Sequence, residues 1–107
     1  MDDTEIFELH AEFCKIIASS RRLRIIDLLS KKEMNVGDIA EVLQVPASNI
    51  SQHLRVLRSY NVVKTHKEGQ TVWYSLSNRR LPKACKEIRS ILLEGMEKTG
   101  KKAKGMK

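Results

Sequence analysis

A mainly α fold of about five helices with one small two-stranded β-hairpin is what this sequence predicts. Three observations lead there. Apolar residues recur at helical spacing in four segments before residue 60 and again beyond residue 80. Between those blocks, two short runs rich in β-branched and aromatic residues flank a loop that contains glycine. The chain has 107 residues, 41% of them hydrophobic and 31% charged, which allows one domain with a modest core.

The first helix is expected over residues 4–19, where Ile6, Leu9, Phe13, Ile16 and Ile17 share a face. Ser19 and Ser20 offer capping hydroxyls to a second helix, whose Leu23, Ile26 and Leu29 carry the pattern to about Ser30. Asn35 caps a short third helix, with Asp38 in its first turn and Ile39, Ala40, Val42 and Leu43 facing inward. The chain then breaks at Gln44-Val45-Pro46, because proline disfavours helix in the residue before it and suits the first turn of the next. A fourth helix starts near Ala47, buries Ile50, Leu54 and Leu57, and ends at Asn61, a residue suited to the left-handed cap position. Strands are expected over residues 62–66 and 71–76, joined by Lys67-Glu68-Gly69-Gln70. Leu81, Ala84, Cys85, Ile88, Ile91, Leu92 and Gly95 then form a long apolar stripe on a fifth helix. The folded domain is expected to span residues 1–97, leaving a lysine-rich and disordered tail over 98–107.

The distribution of charge says more than its total of +7. Residues 1–47 carry six Lys or Arg against nine Asp or Glu, and residues 48–80 carry six against one. Residues 81–97 are balanced, and 98–107 hold five lysines and no acid. Basic charge is thus concentrated on the fourth helix, the hairpin and the tail. No apolar run approaches the length of a membrane span, and the acidic start Met1-Asp2-Asp3-Thr4-Glu5 lacks the pattern of a secretory signal. A cytoplasmic protein with no membrane partner is expected, and its two cysteines, Cys14 and Cys85, suit a reducing compartment.

Two short helices joined by a tight turn, the second polar and basic on its open face, meet the geometric requirement for entering a DNA major groove. The second of them, the fourth helix of the chain, offers Ser48, Asn49, Ser51, Gln52, His53 and Arg55, with Arg58 beyond them. Asn and Gln suit adenine, and Arg suits guanine or phosphate. The hairpin adds Lys64, Lys67 and Gln70 along the flanking backbone, where they contribute affinity and salt sensitivity rather than sequence information. His53 and His66 read as DNA-facing or surface residues. Double-stranded DNA is therefore the expected partner. The apolar stripe of the last helix needs a partner surface, which a twofold contact with a second copy supplies.

Four runs occur in order: Ser20-Arg21-Arg22-Leu23-Arg24-Ile25-Ile26-Asp27-Leu28-Leu29, Val36-Gly37-Asp38-Ile39-Ala40, Ile50-Ser51-Gln52-His53-Leu54-Arg55-Val56-Leu57 and Lys67-Glu68-Gly69-Gln70-Thr71-Val72-Trp73-Tyr74-Ser75-Leu76. In these the sequence resembles the ArsR/SmtB family of winged helix-turn-helix repressors over about residues 10–95. The resemblance implies a homodimer joined through its first and last helices. It also implies a repressor that binds an imperfect inverted repeat until an inducer weakens the complex.

The family's metal positions are largely empty here. Where arsenic-sensing members carry cysteines, this chain has Asn35, Gly37 and Ala40; where zinc-sensing members carry ligands, it has Asn78, Arg80, Ile91 and Glu94, of which only Glu94 can coordinate. His10, Cys14 and Cys85 remain as candidates for a soft-metal or thiol-based effector. His10 and Cys14 stand four apart on one helix face, and Cys85 lies on the stripe of the last helix. Both cysteines equally suit burial among apolar neighbours. No glycine-rich phosphate loop or nucleophile-base-acid set is visible, so enzyme activity is not expected. The residues leave two other readings open: a non-sensing DNA-binding or chromosome-coating protein that draws affinity from the basic tail, and a helical protein-interaction module.

Overall fold

The computed structural model describes residues 1–100, and the expected tail beyond Gly100 lies outside the described residues. Five helices and one hairpin follow in the expected order: α1 (Asp3–Ile17), α2 (Ser20–Lys31), α3 (Val36–Leu43), α4 (Ala47–Ser59), β1 (Val63–Glu68), β2 (Thr71–Leu76) and α5 (Arg80–Lys98). The last helix thus includes Lys98, one residue past the expected domain edge.

Three of the five helix starts, those of α1, α2 and α3, follow from side-chain caps. Asp2 accepts from the Glu5 amide at 2.8 Å, Ser19 from the Arg22 amide at 3.3 Å, and Asn35 from the Asp38 amide at 2.8 Å. Two ends share one device. Gln44 and Asn61 adopt left-handed backbones with φ of 58° and 59°. The following amides, Val45 and Val62, reach back to the carbonyls of Ala40 at 3.1 Å and Leu57 at 2.8 Å. The first of these reversals sets the angle between α3 and α4; the second delivers the chain into β1.

Both strands are antiparallel and in register from Val63 opposite Leu76 to Glu68 opposite Thr71. The strand expected over residues 62–66 therefore begins one residue later and runs to Glu68. The expected four-residue loop shrinks to Gly69-Gln70. Gly69 has φ 60°, whereas Gln70 keeps a negative φ, the pattern of a type II′ turn whose twist matches the strands. Met34 adds a one-residue bridge on the other edge of β2, exchanging bonds of 3.1 and 2.8 Å with Tyr74.

One apolar core holds these parts together. Ile25 and Ile26 of α2, Ile39 of α3, Ile50, Leu54 and Leu57 of α4, and Val63 of β1 are all essentially removed from solvent. Each such side chain contributes roughly 1.5–3 kcal/mol by burial. α1 contributes only the half-buried Phe13, Ile16 and Ile17 to this core. Its Phe7 and the Ile88 and Ile91 side chains of α5 remain 68%, 64% and 62% exposed.

Candidate nucleic-acid interface

Helix α4 divides into three faces at 100° per residue. Ile50, Leu54 and Leu57 point into the core. Ser48, Gln52 and Arg55 stand exposed on the opposite side, with half-buried Ser51 at its margin and Arg58 also exposed. These side chains make no hydrogen bond or ion pair within the described residues, so their donors and acceptors are free for a partner. A helix whose outward face mixes hydroxyl, amide and guanidinium groups over a rigid apolar base is the arrangement needed to read base edges.

The third face explains where Asn49 and His53 went. Asn49, His53, Val56 and Tyr60 form a stripe at i, i+4, i+7 and i+11 on the flank toward α1 and the start of α2, the first three half-buried and Tyr60 exposed. Arg21 donates to Asn49 Oδ1 at 2.7 Å, and Arg22 Nε donates to His53 Nδ1 at 3.1 Å. The other end of the Arg22 guanidinium donates to the Ile16 carbonyl at 2.8 Å, at the end of α1. Tyr60 donates to Glu12 at 3.1 Å, and this bond holds its phenol above the usual value. Arg22 thus ties the end of α1, the start of α2 and the flank of α4 together. Partial burial lowers the His53 pKa, and the charges of Arg22 and Arg21 lower it further, so His53 stays a neutral acceptor at neutral pH.

The hairpin splits the three wing residues. Alternation places Lys67 on the face shared with Val63 and Thr65, whereas Lys64 lies on the other face beside His66. His66 approaches Glu33 at 3.4 Å, tying the hairpin to the end of α2. Gln70 sits exposed at the turn. The structure therefore brings Lys67 and Gln70 toward the hairpin tip and separates Lys64 from them.

A family model described as "Bacterial regulatory protein, arsR family" matches residues 19–65, which span α2 to the first half of β1. The transcriptional repressor SdpR of Bacillus subtilis is 33% identical over 81 residues, covering 76% of this chain and 90% of SdpR. The chain belongs to the ArsR family. The transcriptional activator HlyU of Vibrio cholerae is 44% identical over 64 residues, 60% of this chain, and the match spans only 59% of HlyU. Among solved structures, Rv0081 of Mycobacterium tuberculosis superposes with a TM-score of 0.80 at 29% identity, covering 88% of this chain and 95% of that one. The fold is the winged helix-turn-helix, with α3 and α4 as the helix pair and β1-β2 as the wing.

This ArsR-family chain does not gather His10, Cys14 and Cys85 into a metal centre: no group of three such donors meets among the described residues. His10 and Cys14 are exposed on α1, and Cys85 is buried on α5. Burial raises the Cys85 thiol; Arg89 opposes that rise and the charge of nearby Cys14 adds to it. A thiol held up by burial is a poor nucleophile and a poor ligand at neutral pH. No helix among the described residues is long and apolar enough to cross a membrane.

Sequence reasoning did not find Arg21, Arg22, Tyr60 and Glu12, the polar frame behind α4. Their signal was available in part, since Arg22 lies at the capped start of α2. Which α4 side chains it meets depends on the crossing of α1, α2 and α4, which no single-helix pattern encodes.

Proposed function

We propose that this chain is a sequence-specific, DNA-binding transcriptional regulator that acts as a homodimer in the cytoplasm, repressing transcription from an inverted repeat. The observation that carries the reading is the outward face of α4, where Ser48, Gln52 and Arg55 stand free on a helix fixed by three buried residues and the Arg21-Arg22 frame. Lys67 and Gln70 extend that surface from the hairpin. In this account Asn49 and His53 hold the helix and do not read bases. The choice of repressor follows relatives such as SdpR, named a repressor, over HlyU, named an activator.

A dimer supplies what the single chain lacks. Ala84, Ile88, Ile91 and Gly95 recur at i, i+4, i+7 and i+11 along α5 and leave two isoleucines largely in water. A twofold contact that covers this stripe and the apolar side of α1 places two α4 helices on one duplex. The test is selection from a randomised duplex pool with the purified protein. The expected product is one inverted repeat whose half-sites lie about one helical turn apart. A pool without enrichment after several rounds contradicts the proposal.

A further inference from the structure

We propose that a second site, on the side of the molecule away from α4, binds a small ligand carrying several phosphates, of the nucleoside di- or triphosphate class. A groove of about 1280 Å³ runs between α2, the base of the hairpin and α5, and no residue of α3 or α4 lines it. Its charge is lopsided. Eight lining residues are Lys or Arg and two are Asp or Glu. Residues 1–100 together hold sixteen basic and thirteen acidic side chains, so outside the groove acids outnumber bases.

Asp27 is already engaged, pairing with Lys31 at 3.9 Å and Arg89 at 3.7 Å, and Glu33 lies 3.4 Å from His66 Nδ1, a contact that becomes an ion pair when that imidazole is protonated. Arg24, Lys32, Lys64, Arg79, Lys83 and Lys86 have no acidic partner among the described residues. Six like charges around one concavity repel one another, and a polyanion relieves that repulsion while gaining from all six. Leu23, Leu76, Pro82 and Leu93 give the groove an apolar lining suited to the body of a nucleoside, and Ser20 and Ser90 add hydroxyls.

Helix geometry keeps this site open in the assembled regulator. On α2, Ser20, Leu23, Arg24, Asp27 and Lys31 lie opposite the buried Ile25 and Ile26, and the floor of the groove reaches the core at Leu29 and Leu76 without touching α4. On α5, the groove stripe Pro82, Lys86, Arg89 and Leu93 lies across the helix from Ala84, Ile88, Ile91 and Gly95. Occupation of the groove, a dimer contact and a duplex on α4 are thus compatible.

The experiment is calorimetric titration of the DNA-free protein with inorganic tripolyphosphate and, separately, with adenosine triphosphate, against chloride at matched ionic strength. One ligand per chain is expected, with the nucleotide bound more tightly than tripolyphosphate. R24Q/K83Q/K86Q, three exposed changes outside the DNA-reading face, should weaken both by at least about tenfold, whereas R24K/K83R/K86R retains binding. No saturable binding, or equal binding by the glutamine variant, overturns the proposal. So does a loss of random-duplex affinity in the glutamine variant that matches its loss of tripolyphosphate affinity, since the groove would then hold the DNA backbone. Measuring without DNA keeps this result separate from the fate of the regulator reading.

Discussion

Acidification should loosen the flank of α4 through one side chain, His53. Its Nδ1 accepts from Arg22 only while the imidazole is neutral, with the proton on Nε2. Protonation converts the acceptor to a donor facing a guanidinium 3.1 Å away, so the hydrogen bond is lost and two cations are left in contact. Because the folded pKa lies below the ordinary 6.5, the unfolded chain takes up the proton first. The contribution is therefore complete above about pH 6.5 and declines as pH falls from there through the lowered folded value. The site is half-exposed, so the net worth of the bond is about 1 kcal/mol, or about fivefold in an equilibrium constant. Denaturant unfolding followed by the fluorescence of Trp73, the single tryptophan, at pH 7.5 and pH 5 measures it. His53→Asn keeps an amide oxygen near the Nδ1 position and cannot titrate, so it cancels every other pH effect. The wild-type chain should lose about 1 kcal/mol more than H53N over that interval. Identical losses in the two proteins would refute the Arg22-His53 reasoning.

Three further outcomes follow from other parts of the structure. Leu54→Ala removes a fully buried side chain beneath the reading face and should cost about 2–5 kcal/mol in unfolding experiments. Gly69→Ala meets no atom within 4 Å, so its cost is that of an alanine held at positive φ alone, about 1–3 kcal/mol, again read by denaturant midpoint. Ile91→Glu, at a side chain 62% exposed, should leave helix content unchanged by circular dichroism while shifting sedimentation toward monomer; an unaltered sedimentation profile would remove α5 from the dimer contact.

Features that depend on neighbouring residues are legible in the sequence alone. The Asn35 cap, the break before Pro46 and the left-handed Asn61 each follow from local backbone chemistry. The exposed stripe on α5 was legible because helical periodicity reveals an apolar face whether or not its partner is present. Gln44 hid its role, since a left-handed glutamine has no composition signal, and the Met34 bridge is one residue long and carries no period. The sequence places Lys67 and Glu68 in a loop, and their inclusion in β1 sets Lys64 and Lys67 on opposite faces of the strand, an alternation that a loop does not have. Asn49 and His53 are chemically suited to bases, and their hydrogen bonds to Arg21 and Arg22 on that flank depend on a packing of helices that sequence spacing does not encode.

The outward face of α4 as the reader of sequence is the central claim, and one comparison tests it directly. The affinities of wild type and S48A/Q52A/R55A for a selected duplex and a scrambled one are measured at physiological salt. Wild type should prefer the selected duplex by at least about 10³-fold. The triple variant, unchanged in stability, should lose most of that preference while keeping much of its scrambled-duplex affinity. A variant that discriminates as well as wild type would contradict the account.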